Sequence, residues 1–358
     1  MYSTRSDVGV PPASRAAATR RREHVLLVVL SLALVVCGTA AIGIGPVRIP
    51  ADTVMRIIAG EIGLSVAETW ASSDRSIVWL IRVPRVILGA CVGAALAVAG
   101  VAIQAMVRNP LADPYLLGIS SGASTGAAAS ILFGFGSGLG AIALTGSAFL
   151  GAIAAIVLVL SIARIGGALV TSRLVFAGIA VGFALTAVTN LLVFASEARD
   201  GARAVLFWML GSLAQSRWSS VPLVVIALLV GITVLVLWSR RFDALAIGDD
   251  TARALGTDPT RFRTMAAITV SLLVAVAVSV SGLIGFVGLV VPHIARRLVG
   301  GVHRIVLPTA ALMGALLLVS ADALARIAFA PRELPLGILT ALIGTPLLIA
   351  LVRRTLAR

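Results

Sequence analysis

Long apolar runs separated by short polar segments dominate the chain. A helix of about 20 apolar residues is long enough to cross the hydrocarbon core of a bilayer. The pattern therefore predicts an all-α polytopic membrane protein with about ten transmembrane helices, in a single transmembrane domain over residues 25–358. The predicted spans are residues 25–45, 83–107, 115–133, 141–163, 174–195, 221–238, 264–282, 284–299, 305–328 and 336–352.

Three polar segments outside these spans carry separate predictions. Residues 1–24, with five arginines among Ser, Pro and Ala, predict a disordered basic tail before an uncleaved first transmembrane helix. Residues 51–59 predict a short interfacial helix that Asp52 can cap. Residues 240–263 are the most charged region of the chain and predict an exposed loop.

The distribution of arginine predicts the orientation. Ten spans place both termini on one side, and loops on the cytoplasmic side of a membrane carry an excess of Arg and Lys. With the N-terminus inside, 19 of the 29 arginines lie in inner segments and 10 in outer ones. We therefore expect both termini to be cytoplasmic, in a bacterial cytoplasmic (inner) membrane.

The composition excludes several classes of protein. Charged residues make up 12% of the 358 positions, against roughly 25% in soluble proteins. The net charge is +14, but the charged residues lie between the apolar runs, as expected for membrane loops. We therefore expect lipid and no nucleic acid as partners. Every basic residue is Arg, so the chain has no Walker A lysine for nucleotide phosphates and is not expected to be an ATPase enzyme.

Few ionisable residues fall inside the predicted spans. Asp322 and Arg326 stand one helical turn apart and can form an ion pair, which is structural or functional. His293 has no partner cluster, and the two cysteines lie in apolar runs, so we expect no metal and no cofactor. The lack of mid-membrane charges argues against an ion-coupled secondary transporter.

The stretch LAIGDDTARALGTDP at residues 245–259 predicts a short helix in the charged loop. Asp249 or Asp250 can cap it, and Gly256 suits the left-handed residue that ends a helix. A helix of one or two turns buries little surface by itself. It is either loop decoration or a docking element.

Four separated motifs carry a resemblance that covers residues 82–352. They are RNPLADPYLLGISSGA at 108–123, the stretch at 245–259, GFVGLVVPHIAR at 285–296 and ELPLGILTALIGTP at 333–346. The sequence resembles the permeases of iron-chelate and cobalamin importers, the membrane subunits of type II bacterial ABC importers. The stretch at 245–259 is similar to the cytoplasmic coupling loop of these permeases, which rests in a cleft of the partner ATPase.

The resemblance implies the partners. We expect two ATP-binding ATPase subunits, a second permease copy or a related permease, and a periplasmic or lipoprotein substrate-binding protein. The substrate would be a metal chelate, a ferric siderophore by family frequency, with haem or cobalamin as the alternatives. A membrane-embedded enzyme would need clustered His, Asp or Glu near one interface, and the sequence shows none.

The resemblance also implies the site residues. ATPase coupling would involve Ala246, Gly248, Asp249, Asp250, Ala252, Arg253, Leu255 and Gly256. Binding-protein docking would involve Arg82, Arg85 and Arg326, although the first two could instead hold a helix end at the lipid headgroups. Candidates for the translocation pathway or its gate are Gln104, Asn109, Pro110, Ser120, Ser121 and Gly122.

Overall fold

The computed structural model describes residues 13–165, 167 and 169–356, and these residues form α-helices joined by turns, 3-10 segments and one π-helical segment, with no strand among them. Seven helical segments are long and apolar enough to cross a membrane. They are Arg21–Gly43, Ser72–Val107, Ala143–Ala163, Thr171–Ala195, Trp218–Leu237, Pro259–Ser281 and His303–Ala328. Ile119–Phe133 and Leu336–Ala350 are shorter apolar helices.

The first half of the described chain holds seven helices and the amphipathic helix that follows them. They are α1 (Ala13–Gly43), α2 (Ala51–Glu61), α3 (Ser72–Arg75), α4 (Val83–Val107), α5 (Ile119–Phe133), α6 (Ala143–Ala163), α7 (Thr171–Ala195) and α8 (Arg199–Met209). A π-helical segment, Ser76–Arg82, joins α3 to α4, and 3-10 segments Pro114–Leu117 and Ser137–Ile142 precede α5 and α6.

The second half carries the charged segment and the last spans. Its helices are α9 (Val221–Leu237), α10 (Ser239–Ile247), α11 (Asp249–Ala254), α12 (Pro259–Ser281), α13 (Val287–Val299), α14 (His303–Ala328) and α15 (Leu336–Leu356). The 3-10 segment Trp218–Ser220 leads into α9.

The N-terminal predictions need correction where the structure describes them. Helix α1 begins at Ala13, so residues 13–24 are helical rather than a disordered tail, and residues 1–12 lie outside the described residues. Helix α2 confirms the short helix, but Pro50 is its N-cap and Asp52 lies in its first turn without a capping hydrogen bond.

Helix α4 lies at the centre of the bundle. In its apolar window 89% of the residues are buried, against 11% in α1, and it packs against α14, α12, α13 and α9. Small residues permit this packing. A Cβ atom at Gly93 would lie 2.2 Å from the carbonyl oxygen of Gly314, and one at Gly100 would lie 1.9 Å from that of Gly288. These two backbone contacts set the distances from α4 to α14 and to α13.

The α-helices of two predicted spans start later than expected, because an irregular segment precedes one and a 3-10 turn precedes the other. Residues 282–286 separate α12 from α13, with Gly282 and Phe286 at positive φ, so the predicted span 284–299 becomes α13. The predicted span 115–133 opens with a 3-10 turn and becomes α5. The Tyr115 hydroxyl joins the two breaks: it donates to the carbonyl of Ile284 and accepts from the Ile284 N–H, each at 3.1 Å.

Candidate functional site

Two candidate sites lie at opposite ends of α4, which at 25 residues is about 37 Å long. The arginine cluster, defined as Arg82, Arg85 and Arg326, lies at the N-terminal end of α4. The coupling segment, defined as residues 239–258 with α10 and α11, lies at its C-terminal end. Each site is held to the bundle by buried charged groups.

Helix α10 is fixed to α12 and α14 by aromatic contacts. The rings of Phe242 and Phe262 meet edge to face with centroids 4.9 Å apart, and the Trp238 ring packs on Phe262 at 5.7 Å. On the other side, Phe242 stacks on His303. Edge-to-face and offset-stacked aromatic pairs are favourable and directional, so they fix the orientation of α10.

Hydrogen bonds between Asp243 and His303 add to this contact. An Asp243 side-chain oxygen accepts from the backbone N–H of His303 at 3.0 Å and lies 2.6 Å from His303 Nδ1. Asp243 thereby satisfies a free N–H at the start of α14. Asp243 and His303 lie 60 residues apart in the chain, so no local sequence pattern predicts this contact.

Helix α11 is held to α4 and α12 through Asp249. Arg263, on the first turns of α12, donates two parallel hydrogen bonds to the Asp249 carboxylate, at 2.8 and 2.6 Å. Its Nε donates to the carbonyl of Met106, in the last turn of α4, at 3.3 Å. Arg108, the left-handed residue that ends α4, lies 3.6 Å from the same carboxylate. The hydrogen bonds from Arg263 lower the pKa of Asp249, so it is a carboxylate at neutral pH.

The opposite face of the coupling segment is exposed. Ile247 and Leu255 are 72% and 67% exposed, and between them the Asp250 and Arg253 side chains form an exposed ion pair at 2.8 Å. Ala246 and Gly256 are exposed as well, whereas Ala252 is buried and Gly248 is partly buried. The predicted coupling residues thus divide between a bound face and a free face.

The short-helix prediction for this segment is confirmed, with one correction. Gly256 adopts the expected left-handed conformation, with φ of +77°. Gly248 is the N-cap of α11, and Asp249 and Asp250 lie in its first turn without capping hydrogen bonds, because the Asp249 carboxylate is held by Arg263. Asp258 instead caps α12, accepting from the N–H groups of Thr260 and Arg261.

The arginine cluster is buried, with Arg82 and Arg85 each 5% exposed and Arg326 3% exposed. Arg82 donates to the carbonyls of Ile42 and Gly43, and Arg326 donates to those of Ala41 and Ile44. These carbonyls are the unpaired acceptors at the C-terminal end of α1, where cations are favourable.

Arg85 joins two carboxylates. It lies 2.9 Å from Asp322 and donates two hydrogen bonds to Glu333, at 3.0 and 2.9 Å. The predicted pair of Asp322 and Arg326 is confirmed at 3.2 Å. The cluster therefore stabilises the junction of α1, α4 and α14, and its cations already have partners. Binding-protein docking through these arginines stays a prediction, and any docking there would proceed through Glu333, whose side chain is 36% exposed.

The predicted pathway residues do not form one lining. Gln104 is buried: its Nε2 donates to the carbonyls of Ala112 and Leu289, and its Oε1 accepts from Arg296 at 2.6 Å. Gln104 thus links α4 to α13. Asn109 and Pro110 are exposed in the turn after α4.

The remaining pathway candidates lie on α5. Ser120 and Ser121 are partly exposed, and the Ser121 hydroxyl accepts from Thr186 on α7 at 3.3 Å. Gly122 is buried at the crossing with α6, where a Cβ atom would lie 2.3 Å from the carbonyl oxygen of Gly151. The role of all six residues in a pathway stays a prediction.

Sequence reasoning missed the partners of the charged groups. Arg263 and Glu333 were not singled out, although each completes one of the two sites. One signal was available for Arg263, since an arginine one turn inside an apolar helix requires a carboxylate partner when buried. Within the described residues, no group of three or more His, Cys, Asp or Glu side chains could hold a metal ion.

A bundle of long apolar helices with ion pairs of buried arginines at both ends of its central helix is the architecture of a polytopic membrane protein. The profile of the FecCD transport family matches residues 33–354, and the chain belongs to this family. It is an ABC transporter permease, a multi-pass protein of the cytoplasmic (inner) membrane, in the group that serves iron chelates, haem, cobalamin or siderophores.

Individual proteins that are similar to this chain are consistent with the family assignment. The chain is 42% identical to the cobalamin import system permease protein BtuC of Halobacterium salinarum, over 77% of this chain and 73% of that protein. It is 39% identical to the Fe(3+)-citrate import system permease protein YfmD of Bacillus subtilis, over 79% and 83%. A solved structure described as an inward-facing conformation of a metal-chelate type ABC transporter matches with a TM-score of 0.79 and 31% identity, over 92% of this chain and 98% of that one.

Proposed function

We propose that this chain is the membrane-spanning permease subunit of an ATP-driven importer that carries a metal chelate, a ferric siderophore, into the cytoplasm from a binding protein outside. The ferric-citrate permease among its relatives and the metal-chelate transporter among the solved structures support this class of substrate. The absence of lysine from the sequence supports an ATPase site on a partner.

The observation that carries the proposal is the two-faced coupling segment. One face is fixed to α4, α12 and α14, and the other exposes Ile247 and Leu255 on an otherwise polar loop. Exposed apolar side chains surrounded by charged groups mark an interaction surface. We propose that a partner ATPase binds this face, one ATPase subunit for each of two permease copies.

The remaining partners are proposed from the surface and the resemblance. Large apolar side chains cover the flanks of the bundle, among them Phe176, Phe183 and Phe194 on α7. These surfaces suit lipid and a second permease, either a copy of this chain or a related one. The binding protein would dock at the end that holds the arginine cluster, opposite the coupling segment.

A second substrate class has its own support. The cobalamin permease of Halobacterium salinarum is 42% identical, so import of cobalamin, or of haem, by the same architecture is the alternative. An ion-coupled carrier is the weaker proposal. The ion pairs described above lie toward the two ends of α4, whereas such carriers need a titratable group near the middle of the membrane.

The test is recovery of an ATPase with the full-length chain from its own membranes. We expect an ATP-binding subunit to copurify with the wild type, and about tenfold less of it with the double variant Ile247→Asp, Leu255→Asp, because carboxylates would be buried in an apolar contact. The matched control is Ile62→Asp, an equally exposed position after α2. Equal recovery with the double variant would refute binding at this face.

A further inference from the structure

Arg263 is a buried cation whose position packing alone does not explain. It is 1% exposed and is the largest of the fully buried side chains among the described residues. Its three guanidinium nitrogens all donate hydrogen bonds, two to Asp249 and one to the Met106 carbonyl. Because an apolar side chain would fill such a space at lower desolvation cost, a buried arginine that bonds a half-buried carboxylate points to a requirement for specific geometry.

Arg263 brings three elements together. It belongs to α12, it binds the first residue of α11, and it reaches the last turn of α4. Arg108 approaches the same carboxylate from the end of α4. The parallel two-bond geometry fixes both the distance and the orientation of Asp249, which a single hydrogen bond would not do.

Helix α11 depends on this contact for its direction. It has six residues, too few to be stable alone, and glycines flank it at 248 and 256. Besides the Asp249 contacts with Arg263 and Arg108, α11 packs against α10 and α12 and buries the Ala252 side chain. Helix α10 has separate contacts through Phe242 and Asp243, so loss of the Arg263 contact would free α11 while α10 stayed in place.

We propose that Arg263 is a positioning residue that makes α11 move as one body with α4 and α12, so that motion of a bound partner reaches the buried core of the bundle. This inference rests on the proposed coupling function for its purpose, but the mechanical link itself is a property of this chain. Without the link, the flexible glycines would absorb the partner's motion inside the loop.

The direct test measures a distance along the molecule in the permease alone. Spin labels at Ile81→Cys and Leu255→Cys, both exposed positions, would report the separation between the far end of α4 and α11, roughly 40 Å. Cys37→Ala and Cys91→Ala provide the background. We expect a narrow distance distribution in this protein and a distribution at least twice as broad after Asp249→Asn.

Two further variants separate this effect from misfolding. Arg263→Met with Asp249→Asn removes the ion pair while leaving no unpaired buried charge, and it should broaden the distribution equally. Asp250→Asn is the matched control, since that carboxylate is fully exposed and pairs with the exposed Arg253, and it should leave the distribution unchanged. A distribution that stays narrow in the double variant would overturn the proposal.

The second arm uses the purified complex with its ATPase. The inference predicts that the variant with Arg263→Met and Asp249→Asn still binds the ATPase. The amount of chelate transported per ATP hydrolysed should fall by about fivefold or more. Equal transport per ATP would overturn the inference and leave the proposed function intact. If the wild-type chain recovers no ATPase at all, the proposed function fails, and the distance measurement still decides whether Arg263 holds α11.

Discussion

At the residue scale, the two ends of α4 depend on buried arginines that are fully bonded within the chain. Arg85 pairs with Asp322 and Glu333, and Arg263 pairs with Asp249. A buried ion pair adds little net stability compared with an apolar pair of the same shape, but removal of one partner leaves a charge unpaired and is strongly destabilising. We therefore expect substitutions at these positions to lower folding stability, whether or not they also change the affinity for a binding protein.

Arg85→Gln tests this point. The change removes one of the two cations that bond the buried Asp322 carboxylate and leaves Arg326 in place, and we expect a loss of about 1.5–3 kcal/mol of folding stability, seen as a lower melting temperature in detergent. The control is Arg75→Gln, whose exposed pair with Glu61 is screened by water, so little change is expected. An unchanged melting temperature, together with loss of binding-protein affinity, would instead support direct docking by Arg85.

The sequence identified important charged and polar side chains more successfully than it identified their bonding partners. The pair of Asp322 and Arg326 could be read from their spacing, because residues four apart share a helix face. The partners of Arg85 and Arg263 lie 237 and 14 residues away, and no local pattern encodes such contacts. Gln104 stood out as the polar residue in an apolar run, yet its bonds to α13 required the structure.

At the element scale, the observed bounds of the long apolar helices agree closely with the predicted ones, whereas the structure of the breaks between helices was not predicted. Helix α4 ends at Val107, as predicted, because Arg108 turns left-handed before Asn109 and Pro110. Residues 282–286 were predicted to be largely helical, since periodicity cannot tell a buried helix from a buried extended segment. Both backbone groups of Ile284 instead bond the Tyr115 hydroxyl, and the Phe286 carbonyl accepts from the N–H groups of Leu289 and Val290.

Asp113, in the turn between α4 and α5, gives a pH prediction. Burial raises its pKa from 3.8 to about 6, while the hydrogen bond from the Tyr115 N–H opposes the rise. Because the folded pKa lies above the unfolded one, this group destabilises the fold progressively as pH rises from about 4 to 6. The effect is at most about 3 kcal/mol and is absent below pH 4.

Asp113→Asn isolates this contribution. The amide keeps an oxygen for the Tyr115 N–H but does not ionise, so the variant should melt at a higher temperature than the wild type above pH 6 and at the same temperature near pH 4. Thermal melts in detergent at these two pH values provide the measurement. A difference that is the same at both values would contradict the argument.

At the scale of the whole molecule, the sequence predicted the class of fold and the family, and the structure adds the order of packing. A chain this apolar and poor in charge has few alternatives to a helical membrane bundle. The central position of α4 agrees with its sequence, because it holds ten Gly and Ala residues, which permit close packing, and it is the most buried of the seven candidate spans. The number of ten spans and the cytoplasmic termini remain predictions, because seven segments are long and apolar enough to cross a membrane and ten spans would also require the shorter helices α5, α13 and α15 to cross it.

The orientation can be tested by labelling. Single cysteines at Ser137 and Gly301 lie in turns that ten spans place on opposite sides of the membrane. In intact cells, a membrane-impermeant maleimide should label the cysteine at 137 and spare the one at 301, and both should react after lysis. Labelling of both in intact cells, or of 301 alone, would contradict the predicted topology.

The central claim is that this chain imports a metal chelate, and uptake tests it most directly. Cells that lack the chain, and the same cells with it restored, would be given labelled ferric siderophore, haem and cobalamin in parallel. We predict loss of ferric-siderophore uptake alone, recovered on restoration. Loss of haem or cobalamin uptake alone would change the substrate and keep the architecture, whereas unchanged uptake of all three would contradict the claim.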